Sequence, residues 1–289
     1  MRMVPVILSV LLAAAPYLAL GEPPASCSRV VSLSPNLTEL VYALGLGDRL
    51  VGRSSACDFP AEAKTVPVVG DFGRPNWEAL QALNPDLVIA TSVEKPALLK
   101  RLESVGIRHL LLPCEGWGQL LDAARTVSQA VGAPDAGERW VRDMDARRDA
   151  LEARTKAWLA SRSRIRVYTE VWGDPITTVG GNSFLGDIVT LAGGENIATR
   201  FKMPYVHVSS EWVIGENPEV ILRAYMLPGV STLADVGKRP GWGAIRAVQT
   251  GAICTNIPPD WLLRPGPRLL DGAEAFADWL QARFKHAGE

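Results

Sequence analysis

The sequence predicts an α/β protein of two similar lobes, each a parallel sheet with helices on its faces, joined by one long helix. Three observations predict it. From Arg29 onward, short apolar β-prone runs alternate with helical segments, the grammar of a parallel sheet covered by helices. From Ala136 to Ala160 there is no proline, no glycine after Gly137, and a surplus of Arg, Asp, Glu and Ala, which reads as a helix joining two bodies. Finally, NWEALQALNPDLVIA (76–90) returns as SSEWVIGENPEVILR (209–223), each with a glutamate six positions before an Asn-Pro pair, an acid after the proline and a β-prone run after the acid. A single larger sheet is the alternative.

In chain order, RVVSLS (29–34) reads as a strand and NLTELVYAL (36–44) as a helix closed by Gly45 and Gly47. LVGRSS (50–55) is the second strand, Trp77 to Leu83 a short helix, and DLVIATS (86–92) the third strand. Pro96 to Val105 is helical, HLLLPC (109–114) is the fourth strand, and Gly118 to Val131 is helical again. The joining helix would run about 37 Å at 1.5 Å per residue. RVYTEV (166–171) then echoes RVVSLS, and FLGDIVTLAGGENIA (184–198) echoes LTELVYALGLGDRLVG (37–52) with its apolar helix, paired glycines and acid. EVILRAY (219–225) and AICTNI (252–257) are further strands, and Leu269 to Phe284 is a final amphipathic helix.

The 289 residues, 47% hydrophobic and 21% charged, suffice for a large core in one or two domains. A net charge of −1 gives no electrostatic case for nucleic acid. Arg2, the apolar stretch Val4 to Leu20 and the small residues before Glu22 read as an export signal over residues 1–21; a membrane anchor is the bland alternative. Cys27 offers a lipid-anchoring site in a poor context, because Pro24 stands where an apolar residue is wanted. Cys57 and Cys114 both follow strand-like runs, so a disulfide and two free thiols are both open. His109, His207 and His286 are scattered and suggest no metal cluster. An enzyme finds no support: there is no Gly-x-Gly-x-x-Gly after the first strand, no phosphate-binding loop, no nucleophile elbow, and no telling spacing among Asp71, Glu115 and Asp260.

The ordered set RVVSLSPNLTELVYALGLGDRLVG, CDFP, NPDLVI and GGENI, from about Arg29 to Trp279, resembles the class III periplasmic substrate-binding proteins of ABC importers. Members of that family bind cobalamin, haem or ferric siderophores. The resemblance implies two Rossmann-like lobes with central parallel sheets, one long rigid connecting helix and a ligand cleft between the lobes. The expected division is a signal over 1–21, an N-terminal lobe over 28–134, the connecting helix over 135–162 and a C-terminal lobe over 163–289. It also implies a periplasmic, monomeric binder without cofactor or catalysis, whose partners are its ligand and an ABC permease dimer with its ATPase.

Within the family the likeness is greatest to the cobalamin-binding members. It places Phe72, Trp172, Tyr205, Trp261 and Arg264 at ligand positions, through VGDFGRPNWEAL, VWGDPITTVGGNSF, KMPYVHVSSEWV and DWLLRPGPRLL. Trp117, after the fourth strand, is a further candidate. A corrin is broad and mostly apolar with amide arms, so flat aromatic surfaces and a fixed guanidinium suit it. The bland reading of each aromatic is packing; Trp140, Trp158 and Trp279, which fall on helices, read as core. The family pattern is broken at Ala56, Thr91 and Ala192, where those members carry a tyrosine, a tryptophan and a cysteine. In haem-binding members a tyrosine ligates iron at the position of Asp71. An anionic siderophore would need basic residues, for which Arg53, Arg74 and Arg264 are available. His207 could ligate a metal, but a lone histidine is usually structural. Glu78 and Glu211 suit the first turns of their helices; the resemblance makes them permease-docking carboxylates, one per lobe.

Overall fold

The computed structural model describes residues 26–94, 96–225 and 236–285; the expected export signal and His286 lie outside the described residues. The first sheet is built from β1 (Val30–Ser32), β2 (Leu50–Arg53), β5 (Leu87–Ala90) and β6 (Arg108–Leu111), all parallel in the order β2-β1-β5-β6. A two-stranded ribbon of β3 (Gly70–Asp71) and β4 (Arg74–Pro75) stands beside it. Helices α1 (Pro35–Ala43), α2 (Trp77–Ala82), α3 (Pro96–Ser104) and α4 (Trp117–Ala130) complete the lobe. Strand residues alternate between two buried clusters. Val30, Leu87 and Ile89 enter one, while Val31, Val88 and Ala90 enter the other. A sheet covered on both faces has this continuous apolar pattern.

Helix α5 (Pro134–Trp158) leads to the second sheet. Its parallel part is β9 (Gly194–Asn196), β7 (Ile165–Gly173), β11 (Val220–Arg223) and β12 (Ile253–Cys254). Two antiparallel strands extend it: β8 (Ile176–Val179) pairs with β7, and β10 (Tyr205–His207) pairs with β8. The sequence reading lacked β8 and β10, whose short ITTV and YVH runs carry a weak apolar signal. Around this sheet lie α6 (Phe184–Leu191), α7 (Ser210–Glu216), α8 (Arg246–Gln249), α9 (Pro259–Leu263) and α10 (Leu269–Arg283). Here too the faces alternate, with Val167, Val220 and Leu222 in one cluster and Tyr168 and Ile221 in the other. Two separate sheets rule out the single larger one.

The repeated phrase does the same work twice. Asn76 and Ser209 cap α2 and α7, accepting from the Ala79 and Trp212 amides at 2.9 and 3.2 Å. Both helices end on an asparagine in the left-handed region, Asn84 at φ 44° and Asn217 at φ 45°. The acid after the proline then grips the start of the central strand. Asp86 accepts from the Arg29 amide at 2.9 Å, and Glu219 from the Arg166 amide at 3.1 Å. Their own amides return bonds to the Arg29 and Arg166 carbonyls at 3.0 and 2.9 Å.

Helices α5 and α10 belong to both halves. Val141 and Met144 of α5 join the first lobe's core and Leu151 the second's. In α10, Leu270 enters the first core while Leu269, Ala273 and Phe276 enter the second. Arg147 ties the two helices by pairing with Asp271 and Glu274, both at 2.8 Å. All four cysteines are buried free thiols, so the disulfide reading of Cys57 and Cys114 is set aside. Burial pushes the Cys114 thiol up to about 12. Cys27, weighed above as a lipid site in a poor context, packs in the first core with its sulfur 3.2 Å from Arg108 Nη1. No helix among the described residues is long and apolar enough to cross a membrane.

Left-handed backbone costs a side chain about 1–2 kcal/mol. Asn84→Val is therefore expected to lower stability by about that much, whereas Asn84→Gly should change it by less than about 0.5 kcal/mol. Urea unfolding followed by tryptophan fluorescence checks this; equal losses would mean that the side chain, not the backbone, matters there.

Candidate functional site

In parallel α/β sheets, ligands collect beyond the carboxyl ends of the strands. Phe59 follows β2, Phe72 occupies the β3–β4 turn, and Val93 follows β5; all three are exposed. The second lobe offers Trp172 at the end of β7 and Met203 and Tyr205 at β10, also exposed. These six stand among nine large apolar side chains exposed in the described residues, Val68, Val105 and Leu111 of the first lobe being the others. Trp172 is held in place by its indole N–H, which donates to the Asp174 carbonyl at 2.7 Å, and by the Tyr225 ring, centroid to centroid 6.4 Å away.

Beneath Trp172 lies a cluster that the sequence reading missed. Glu170 is fully buried on β7. It accepts from the Tyr168 hydroxyl at 3.2 Å, from the Tyr225 hydroxyl, and from Arg239 Nη2 at 3.1 Å, and Arg223 Nε lies 3.5 Å away. Burial first, and the Glu170 charge second, push both phenols above their ordinary pKa. A buried carboxylate this fully partnered fixes the residues around it. Its only sequence cue was an acid inside the β-prone run VYTEV (167–171).

Arg264 departs from expectation. Its guanidinium is spent on three carboxylates: Asp58 at 2.6 Å, Asp260 at 3.1 Å and Glu39 at 3.4 Å. Arg268 joins Glu39 at 2.8 Å and lays its guanidinium 4.0 Å from the Phe59 ring centroid. Glu39 and Asp58 belong to the first lobe and both arginines to the second, so the group is a clasp between lobes rather than a free donor for ligand. The lobes meet closely at Gly266, where an added Cβ would lie 3.1 Å from that of Asn36. Asn36 Nδ2 donates to the Pro265 carbonyl at 3.1 Å. The Arg264 hydrogen bond holds the Asp58 carboxyl below its usual range.

The remaining candidates divide. Trp117 begins α4, donates to Asp145 of α5 at 3.2 Å and lies under Arg148. It lines a cavity of about 730 Å³ with α5 and α6, whose lining includes none of the exposed aromatics. Trp261 is half-buried against the second core. Asp71 accepts from the Ser55 hydroxyl at 2.7 Å. Arg53 is buried and donates to the Ser54 and Lys64 carbonyls, both at 3.1 Å. Glu78 and Glu211 are exposed in the first turns of α2 and α7, one in each lobe. Its own backbone N–H and the Ser209 hydroxyl hold the Glu211 carboxyl below its ordinary pKa, so it stays charged. Among the described residues, no three His, Cys, Asp or Glu side chains gather as a metal site.

Residues 30–257 match the model of a family described as periplasmic binding protein. The chain is 32% identical over 247 residues to the vitamin B12-binding protein of Vibrio parahaemolyticus, covering 84% of this chain and 86% of that one. Among solved structures it is similar to the periplasmic vitamin B12-binding protein BtuF of Vibrio cholerae, with TM-score 0.75, 29% identity, and coverage of 90% and 99%. It is also similar to the periplasmic heme-binding protein RhuT of Roseiflexus sp. RS-1, with TM-score 0.78, 26% identity, and coverage of 89% and 98%.

A lowered Asp58 pKa means that its stabilisation is present above the ordinary aspartate value of about 3.9 and is lost as pH falls through the lower folded value. Wild type is expected to melt above Asp58→Asn near neutral pH, the two converging as pH falls below the ordinary aspartate range. Melting curves across that range check it; a constant gap would mean that the Asp58–Arg264 pair is not its source.

Proposed function

The chain belongs to the periplasmic binding protein family, and we propose that it serves an ABC importer by capturing a corrinoid, cobalamin or a precursor, outside the cytoplasmic membrane. The observation that carries the reading is the exposed set Phe59, Phe72 and Val93 on one lobe and Trp172, Met203 and Tyr205 on the other. Solvent-facing aromatics at the strand ends of both lobes suit a broad apolar macrocycle taken up between them. The relatives named for vitamin B12 support the same choice.

Two competitors from the same family fit less well. Iron in a haem would want the tyrosine whose position is held by Asp71, itself engaged with Ser55. An anionic siderophore would want free cations. Arg53 is committed to backbone carbonyls and Arg264 to three carboxylates, which leaves Arg74. The protein's part is binding and delivery, so no cofactor or catalytic group of its own is required, and ATP hydrolysis falls to the partner.

Delivery needs a membrane permease. Glu78 and Glu211 supply the docking contacts in this reading, one carboxylate per lobe meeting basic residues of a two-fold partner. Rim charges of this kind set register and association rate more than affinity.

Cyanocobalamin is expected to bind at micromolar or tighter, about −8 kcal/mol. Trp172→Ala should weaken that by about 1–3 kcal/mol through loss of an aromatic face. Titration calorimetry decides both: no heat with any corrinoid, beside tight binding of a ferric siderophore, would overturn the choice. The pair Glu78→Lys and Glu211→Lys should leave ligand affinity unchanged and abolish uptake in cells carrying the permease; intact uptake would remove the docking role.

A further inference from the structure

His207 lies exposed on β10, two positions from Tyr205 and therefore on the same face of the strand. Across the sheet its register partner is Thr177 of β8, whose partner in turn is Trp172 of β7. The histidine is thus aligned with the two exposed aromatics of the second lobe.

The hydrogen bonds around it fix its tautomer. Thr177 is buried, with 8% of its surface exposed. Its hydroxyl meets two groups at 2.9 Å, the Pro175 carbonyl oxygen and His207 Nδ1. A carbonyl oxygen only accepts, so the single hydroxyl proton goes to Pro175. The second contact is then a hydrogen bond only if Nδ1 carries a proton and donates to the threonine oxygen. The neutral ring keeps its lone pair on Nε2, which has no hydrogen-bond partner among the described residues. Metal-ligating histidines share this arrangement, in which one ring nitrogen donates to an oxygen that fixes the tautomer and the ring orientation while the other binds the metal. As a lone histidine in a sequence, His207 reads as structural; the buried Thr177 beneath it is the independent observation that points to a ligand.

We propose that His207 is an axial ligand, through Nε2, to the metal of the bound chelate. The class it selects is a planar tetrapyrrole-type complex with an exchangeable axial water. The step is a substitution without redox change. The Nε2 lone pair forms the bond to the metal, the metal–water bond breaks, and water leaves neutral with its own electron pair. The proposal deepens the corrinoid reading and rests on it for the identity of the metal. Thr177 is the positioning residue: it touches no ligand and acts by holding the ring.

The test is visible spectroscopy of the full chain with three probes. Diaquocobinamide has exchangeable water on cobalt, cyanocobalamin has both axial positions filled, and haemin carries iron in place of cobalt. With wild type, diaquocobinamide should show the band shift of an imidazole replacing water. His207→Gln should abolish the shift while melting cooperatively within about 2 °C of wild type, which shows that the variant is folded. Thr177→Val should keep the shift but weaken diaquocobinamide binding by about tenfold, as loss of the group that orients a ligating histidine does. A shift that survives in His207→Gln, or diaquocobinamide bound by wild type without any shift, overturns the axial ligand. A shift dependent on His207 with haemin, and no binding of either corrinoid, upholds the ligand and overturns the corrinoid reading instead.

Discussion

The buried carboxylate of Glu39 is the contact on which the arrangement of the two lobes turns. It sits on α1 of the first lobe with a side chain 2% exposed, and both of its cationic partners, Arg264 and Arg268, come from the second. A charge so placed is tolerable only while those arginines stay in reach, because removing one partner of a buried pair leaves an uncompensated charge and costs about 3–5 kcal/mol. Lobe separation is therefore opposed by the loss of these ion pairs as well as by the loss of apolar contact. Asp58 and Asp260 extend the group toward solvent, and the close approach at Gly266 sets how near the lobes can come. The clasp and α5 together define the spacing of the surfaces on which Phe72 and Trp172 stand.

Within each lobe the second constraint is the duplicated module. Its cap, left-handed asparagine, proline and acid bind the end of a short helix to the first residue of the central strand. Arginine completes it, with Arg29 donating to the Leu83 carbonyl and Arg166 to that of Glu216. Once the module is superposed, the differences between lobes become informative. Matching Arg29 with Arg166 sets Leu33 opposite Glu170. The first lobe keeps a buried apolar residue there, and the second has a carboxylate ringed by two phenols and two guanidiniums. The carboxyl ends of the two central strands have diverged while the amino ends kept one design.

Much of the fold was legible because both sheets are buried on both faces. RVVSLS, DLVIATS and EVILRAY are conspicuous against polar loops, and the strands they contain are shorter because the run's last residues already belong to the turn. β8 and β10 escaped because threonines and a histidine interrupt their pattern. The sequence placed the aromatic candidates Phe72, Trp172 and Tyr205 in loops; Phe72 stands in the β3–β4 turn, the other two on β7 and β10, and all three are exposed. Arg264 was legible as a fixed guanidinium, but what fixes it was not: its partners Glu39 and Asp58 are remote in sequence, and no local pattern announces an ion pair between lobes. The surroundings of Trp117 were illegible for the same reason, since only the path of α5 brings Asp145 and Arg148 to it. Glu170 and the Thr177–His207 pair depend on strand register, which a single sequence does not display.

Helix α10 carries a further consequence. It is the last helix among the described residues, yet its Leu270 enters the core of the lobe that is made first. A ribosome delivers the chain from its N-terminus, so the first lobe's interior is not full until Leu270 has been made. Contacts between chain ends are slow to form, because loop closure precedes any gain from them. The two lobes, though they look like separate units, thus share one helix that each needs to complete its interior.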